Sequence, residues 1–387
     1  GLIGPLKELA EFEELCKNKK KDVGMIRVCG CVNSQKSHMM YALGDGCKYK
    51  VIACSSETKA KQIYEEYRFL DSNTYLYPAK DFLFYQADIR SKELVKQRME
   101  GIQAVLSGEP VTVVTSLDGF MDHLAPKESI AEKVLKVQND SVLKLDEMAE
   151  KLSVIGYDRE VQVEGPGQFA VRGGILDIYP LTEELPVRIE LWGDEVDSIR
   201  TFDVESQRSI ENLMDIVIYP AVEFPQNGEK GVSFLDYFPP EDTILFLDEP
   251  VRLVERGQNI EDEFMEAQKK RLESGYDLEE EEAKIFPVTE ILKKINCYSS
   301  IGFYALGMKC KGLEVRESYE IQAKSVNPYN NSFEMLTQDL KRLKRNGYRV
   351  ILLSGSRTRA KRLAEDLRDY NLSSYYSEDL DREVKPG

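Results

Sequence analysis

The chain has 387 residues, of which 42% are hydrophobic and 31% charged, a composition typical of a folded protein with about two to four domains. The 52 Lys and Arg against 68 Asp and Glu give a formal net charge of −16, which disfavours a broad non-specific DNA-binding surface and leaves a local basic patch open. The sequence contains no apolar run of ~20 residues and does not begin like a signal peptide, so we expect a cytoplasmic protein without a membrane partner.

Residues 1–125 alternate between helical and extended patterns. Helices are predicted at 8–18, 37–43, 57–70 and 91–106, and strands at 22–31, 49–54, 74–77 and 110–115. Short, continuously apolar strands between helices are typical of a parallel sheet that is covered on both faces. The pattern therefore predicts a three-layer α/β domain.

Residues 126–210 change to period-2 alternation after a helix at 144–152. Strands are predicted at 160–163, 169–179, 186–192 and 195–202, which indicates a small antiparallel α+β domain. The α/β pattern returns over 211–312, with a strand at 243–247, a helix at 260–274 and an acidic run at 279–282 that we expect on a solvated face. Residues 313–387 predict a helix at 332–346, a strand at 348–353 and a helix at 357–370. That is too little to close a sheet, so we expect a fragment of a longer protein.

The cysteines and histidines indicate no metal or nucleophilic site. The seven cysteines form no CxxC pair, and His38 and His123 are the only histidines, so the ligands of a zinc site are not supplied. Several cysteines lie in apolar strand-like runs, where Cys behaves as a small hydrophobe. We expect buried, reduced thiols, no metal and no catalytic residue.

A degenerate phosphate-binding loop follows the first predicted strand. Residues 30–37 keep Gly30, Lys36 and Ser37 of the pattern G-x-x-x-x-G-K-[ST], but Gln35 replaces the second Gly. That Gly lets backbone N–H groups approach the phosphate closely, and a Gln side chain would crowd the approach. Asp248 and Glu249, which follow a buried strand, match the acidic pair that holds Mg²⁺ and water in an active site. We interpret the loop as a relic, with residual nucleotide binding as the alternative.

The only tryptophan lies in a strand whose aliphatic side chains must face the core. In residues 187–192, alternation buries Val187 and turns Arg188 and Trp192 outward, and the neighbouring strand turns Arg172 outward. Arg and Trp are enriched at protein–protein hot spots. Two hypotheses stay open on this evidence: an exposed binding patch, or a seam between domains of this chain.

The same region resembles a known family. Residues 165–180 (GPGQFAVRGGILDIYP), 185–190 (LPVRIE), 193–200 (GDEVDSIR) and 202–209 (FDVESQRS) resemble the N-terminal, UvrB-like region of the bacterial transcription-repair coupling factors (Mfd). Weaker similarity runs through 81–100, including Arg98, and over the rest of the chain.

The resemblance implies a domain organisation. A degenerate RecA-like domain, in segments 1–125 and 211–312, would flank a UvrA-binding domain at 126–210, and a third, truncated α/β domain would occupy 313–387. The long DNA-engaging hairpin of UvrB is expected to be missing, because 82–90 leads straight into a helix.

The resemblance also implies a function. Arg172, Arg188 and Trp192 would contact UvrA, and other members often have Phe at the position of Trp192. The same surface would restrain the parent protein's own motor. This fragment is expected to have no enzymatic activity and no cofactor, whereas the parent motor would use ATP and Mg²⁺ and reach RNA polymerase and DNA through domains beyond residue 387. The alternatives are a divergent UvrB-like NTPase, using Lys36, Ser37, Asp248 and Glu249, and a module that acts only as a clamp on its own motor.

Overall fold

The computed structural model describes residues 1–80, 92–275 and 284–387. The interpretations made for 82–90 and for the acidic run at 279–282 concern residues outside these ranges. The helices are α1 (Ala10–Asn18), α2 (Asn33–Leu43), α3 (Glu57–Tyr67), α4 (Lys92–Leu106), α5 (Lys127–Glu132), α6 (Leu145–Val154), α7 (Pro250–Glu273), α8 (Val288–Ile295), α9 (Phe333–Arg345) and α10 (Arg357–Asp369). The strands are β1 (Gly24–Cys29), β2 (Tyr49–Cys54), β3 (Thr74–Tyr77), β4 (Val111–Ser116), β5 (Leu135–Gln138), β6 (Asp158–Arg159), β7 (Gln168–Arg172), β8 (Ile175–Tyr179), β9 (Val187–Trp192), β10 (Glu195–Phe202), β11 (Ser209–Leu213), β12 (Asp215–Ile218), β13 (Thr243–Asp248), β14 (Ser299–Tyr304) and β15 (Val315–Glu320).

The main sheet is parallel and has seven strands in the order β15-β1-β14-β13-β2-β4-β3. Every residue of β4, β13 and β14 is buried, because helices cover both faces. Side chains from α1, α2 and α3 fill the core on one face, and side chains from α4, α7 and α8 fill the core on the other. The predicted three-layer α/β architecture is confirmed.

The second sheet has six strands in the order β11-β10-β9-β8-β7-β6, antiparallel except for the short β6–β7 pair. The continuous strand predicted at 169–179 is two strands, because the chain reverses at Gly173, whose φ of +56° suits glycine. β11 continues past residue 210, and β12 pairs with β5. The segment that pairs with the small sheet thus continues past residue 210. The boundaries of the domains themselves remain predictions.

The carboxy-terminal part differs from the sequence prediction. Residues 321–387, all of which the structure describes, contain α9 and α10 but no strand. The strand predicted at 348–353 is wrong, because the segment pairs with no neighbouring strand and leaves Tyr348, Leu352 and Leu353 exposed. β15, which was not predicted, instead pairs with β1 as an edge strand of the main sheet.

A buried arginine links α4 to residues that precede and follow the small sheet. Arg98 is 1% exposed, forms ion pairs with Asp122 and Glu223, and donates a hydrogen bond to the carbonyl of Pro78. Its guanidinium also lies 4.6 Å from the ring centroid of Tyr77. Burial lowers the pKa of Arg98, but the two carboxylates outweigh burial and hold it above its ordinary value.

None of the described helices is long and apolar enough to cross a membrane.

Candidate functional site

The degenerate loop differs from a phosphate-wrapping loop in its backbone. α2 begins at Asn33, so Gln35 lies within the first turn of the helix rather than in a loop that could surround a phosphate. Gly30 has a φ of +92°, and a Cβ at this position would lie 2.0 Å from the carbonyl oxygen of Ile321. The glycine is therefore required by the close approach of the chain at Ile321, whether or not a ligand binds.

The polar side chains of this loop are already bonded to carboxylates of the same chain. Lys36 is buried, and its Nζ lies 2.9 Å from Asp248 Oδ1 and 3.0 Å from Glu249 Oε1. Burial lowers the pKa of the ammonium, but the two carboxylates raise it further than burial lowers it, so Lys36 stays charged. The hydroxyl of Ser37 donates a hydrogen bond to Glu66 Oε2 at 2.8 Å. The groups that would bind phosphate and Mg²⁺ are thus satisfied within the chain.

The outward face of the small sheet carries the three residues singled out from the sequence. Asp177 lies opposite Arg188 in the β8–β9 register, and Arg188 lies opposite Arg200 in the β9–β10 register, which puts these charged side chains on one face. Trp192 follows on the same face of β9 and is 83% exposed. The structure places Arg172, Arg188 and Trp192 on this face, as alternation predicts, but with unequal exposure.

Asp177 organises the two arginines. Its buried carboxylate accepts hydrogen bonds from Arg188 Nε at 2.8 Å and Arg188 Nη2 at 3.0 Å, and from Arg172 Nη2 at 3.0 Å. The side chain of Arg188 is 13% exposed, whereas that of Arg172 is 50% exposed. The hydrogen bonds to Asp177 are the main reason that the pKa of Arg188 is raised. Arg188 is therefore mostly a positioning residue, and Arg172 is the arginine that a partner can reach.

Two neighbours hold Arg188 in place as well. Its Nη2 donates to Gln207 Oε1 at 2.8 Å, and its guanidinium lies 4.4 Å from the ring centroid of Phe202. The next carboxylate on this face, Glu190, pairs with Arg200. A preformed network of this kind orders Arg172 before any partner arrives.

Val142 belongs to the same face and was not found from the sequence. Backbone hydrogen bonds from Leu143 N to Asp194 O at 2.7 Å and from Val196 N to Ser141 O at 2.9 Å hold this segment beside the start of β10. The backbone of Val142 forms an isolated antiparallel β-bridge with Glu195, and Glu195 lies opposite Trp192 in the β9–β10 register. The side chains of these three residues therefore lie in one row across the sheet. Val142 is 71% exposed and Leu143 is 8% exposed, as this orientation requires. A lone valine between two elements shows no periodicity, so the sequence carried no signal for it.

The described residues contain no group of three or more His, Cys, Asp or Glu side chains arranged to hold a metal ion. All seven cysteines are free thiols, of which Cys29, Cys31, Cys54 and Cys310 are buried. Cys297 is exposed, against expectation, because it follows the amphipathic helix α8 on the solvent side.

Known proteins are similar to the small-sheet region and to the chain as a whole. Residues 135–224, which include β5 to β12 with Arg172, Arg188 and Trp192, match the family model of the UvrB interaction domain. Over 95% of its length the chain is 25% identical to the transcription-repair-coupling factor of Bacillus subtilis strain 168, of which it covers 36%. The corresponding factor of Staphylococcus haemolyticus is 23% identical over 82% of the chain, and that of Staphylococcus epidermidis is 38% identical over 40% of the chain.

The chain thus spans about a third of the length of the curated relatives that it matches over most of its own length. These similarities, together with the seven-stranded parallel sheet and the separate small sheet, confirm the resemblance of this chain to the N-terminal, UvrB-like region of the transcription-repair coupling factors.

Proposed function

We propose that this chain is a non-catalytic recruitment module of a transcription-coupled DNA repair factor and that it binds UvrA through the outward face of the small sheet. The observation that carries the proposal is Trp192, which is 83% exposed on a face of charged side chains, within the residues that match the UvrB interaction domain. A tryptophan so exposed on a sheet face gains from being covered by a partner.

The arrangement supports a hot spot with two parts. Trp192 offers a large apolar surface, and burying such a side chain in a complex contributes about 2 kcal/mol or more. Arg172 offers a guanidinium whose orientation is fixed by Asp177 through a single 3.0 Å contact, so its other N–H groups are available to a carboxylate of the partner. A UvrA surface that fits this site carries a carboxylate beside an apolar depression.

Two features of the structure argue against the competing hypothesis, a divergent UvrB-like NTPase, even though Lys36, Asp248 and Glu249 lie together. Nucleotide binding would require Lys36 to leave both Asp248 and Glu249, and residues 33–35 to leave the helix. A scaffold that needs no nucleotide is the simpler interpretation of a closed ion triad.

In the longer parent protein, we propose that the same face contacts the parent's own motor domain. One face cannot cover two surfaces at once, so UvrA binding and restraint of the motor would exclude each other. We also propose that contacts of the parent with RNA polymerase, its ATP-driven movement along DNA and its use of ATP belong to regions outside residues 1–387.

Binding to purified UvrA, measured by isothermal titration or surface plasmon resonance, tests the proposal. We expect Trp192→Ala to weaken binding by about 30-fold or more, which corresponds to about 2 kcal/mol. Arg172→Ala should weaken binding and lower the thermal midpoint only slightly, because buried Asp177 keeps its two hydrogen bonds from Arg188. Arg188→Ala should weaken binding and lower the midpoint more, because it removes both of those hydrogen bonds. Arg159→Ala, on exposed β6 of the same sheet, is the matched control. Failure of the wild-type chain to bind UvrA would overturn the proposal.

A further inference from the structure

A segment near the carboxyl end of the chain is strongly positive, whereas the chain as a whole is negative. Residues 341–362, here called the cationic segment, contain six Arg and three Lys and no Asp or Glu, in a chain with a formal net charge of −16. The segment comprises the last residues of α9, the connection to α10 and the first two turns of α10. No part of the proposed UvrA site lies in it.

The fold turns most of these cations toward solvent. α9 and α10 share a small core around Leu340 and Leu367. The ring centroids of Phe333 and Tyr370 lie 5.0 Å apart in an edge-to-face contact. The apolar side chains of both helices are thereby used for packing, which leaves the cationic side chains outside. Seven of the nine cations are exposed: Lys341, Arg342, Arg345, Arg357, Arg359, Lys361 and Arg362.

About half of the cations have a carboxylate partner within the chain. The ion pairs are Arg342–Asp339, Arg349–Glu8, Arg357–Glu378 and Arg362–Asp366. Lys341, Lys344, Arg345, Arg359 and Lys361 form no ion pair with any residue that the structure describes. Exposed pairs contribute only about 0–1 kcal/mol, so even the paired arginines can exchange partners at little cost.

Two groups of these cations are unfavourably placed for the folded chain alone, whereas the dipole of α9 favours Arg342, Lys344 and Arg345 in its last turn. Arg357 and Arg359 occupy the first turn of α10, which contains no acidic residue, and the helix dipole disfavours positive charge there. Lys341 and Arg345 are four residues apart on α9, where like charges repel by a few tenths of a kcal/mol. A bound polyanion would relieve both effects.

We propose that the cationic segment binds the phosphate backbone of a nucleic acid. Arginine predominates in the segment, and its planar guanidinium matches phosphate in a two-pronged geometry. The negative charge elsewhere in the chain does not cancel this attraction, because at physiological salt the screening length is about 8 Å. Binding by such a surface is independent of sequence, weak at high salt and separate from the proposed contact with UvrA.

Fluorescence anisotropy with a labelled DNA duplex tests the proposal on the complete 387-residue chain. The test variant is Lys341→Gln/Arg345→Gln/Arg359→Gln. The control variant, Lys144→Gln/Lys230→Gln/Lys270→Gln, removes the same charge from exposed positions elsewhere. We expect the wild type and the control to bind at about 50 mM salt and to release DNA by about 200 mM. The test variant should bind at least about tenfold more weakly, and its slope of log affinity against log salt should be shallower by about two to three.

The experiment also distinguishes the phosphate backbone of a nucleic acid from other polyanions. Wild-type affinity in the test variant, with circular dichroism showing a folded chain, would overturn the proposal. So would displacement of the duplex by sodium polyglutamate at an equal concentration of charge, because that result would assign the surface to acidic proteins. Absence of binding by the wild type at low salt would overturn it as well.

Discussion

The ammonium of Lys36 lies 2.9 Å from the carboxylate of Asp248, in a buried contact that connects the start of α2 to the end of β13. In a working phosphate loop, the equivalent groups face a nucleotide and its metal ion. Here they neutralise each other, with Glu249 as a third member at 3.0 Å from the same nitrogen. The ion triad thus removes the free charges that phosphate binding needs.

Removing Lys36 should therefore cost stability rather than activity. In Lys36→Ala, buried Asp248 loses its cation, and breaking a buried ion pair in this way destabilises a protein by about 3–5 kcal/mol. Urea unfolding followed by circular dichroism measures the change. Lys17→Ala, an exposed cation on α1, should shift stability by no more than about 0.5 kcal/mol.

The same variant tests the absence of catalysis. We expect no magnesium-dependent ATP hydrolysis above background from the wild-type chain. Hydrolysis by the wild type that disappears in Lys36→Ala would contradict the closed-triad interpretation and restore the NTPase hypothesis.

The sequence was most informative where burial is regular. The predicted strands at 74–77 and 195–202 agree with the bounds of β3 and β10, although register shifts beside Val196 and Phe202 interrupt the alternation of β10. Alternation is regular in β9, where Val187 and Ile189 are buried. The outward positions of Arg188 and Trp192 followed from the same alternation. Contacts between distant segments left no local pattern, so the ion triad and the row of Val142, Glu195 and Trp192 emerged only from the fold.

The carboxy-terminal prediction failed for a different reason. Residues 348–353 have the composition of a buried strand, but composition cannot tell whether a neighbouring strand is present to pair with. β15 shows the converse, because VRESYE lacks an apolar run and forms a strand through its hydrogen bonds to β1.

The buried cluster around Arg98 predicts a large effect on stability. Arg98→Met would leave Asp122 and Glu223 as buried carboxylates without their cation, so we expect a loss of about 3–5 kcal/mol. Lys92→Met, an exposed position on the same helix, should have little effect in the same urea titration. Equal midpoints for the two variants would show that Arg98 does not hold α4 to these segments.

Val142 provides a test of how far the proposed UvrA surface extends. Val142→Asp places a charge in the row of Glu195 and Trp192, so we expect it to weaken UvrA binding by about tenfold or more, since charge is disfavoured in the centre of an interface. Val161→Asp is the matched control, because Val161 is 89% exposed and its segment follows β6.

Three outcomes of that experiment are distinct. Loss of binding in Val142→Asp alone supports the extended row. Loss in both variants indicates general damage to the small domain. Unchanged binding in Val142→Asp limits the surface to Trp192 and Arg172.

The thiols predict a pH-dependent order of modification. Burial raises the pKa of Cys31 to about 11 and that of Cys310 to about 11, whereas Cys297 is exposed. Because the thiolate is the reactive form, at pH 8 only about one in a thousand of the Cys31 thiols is ionised, and its alkylation should rise about tenfold per pH unit up to about 11. Iodoacetamide labelling followed by peptide mass spectrometry should therefore find Cys297 modified first at pH 8. Denaturant should make all seven cysteines react at similar rates, and equal rates for Cys31 and Cys297 in the folded chain would contradict the buried position of Cys31.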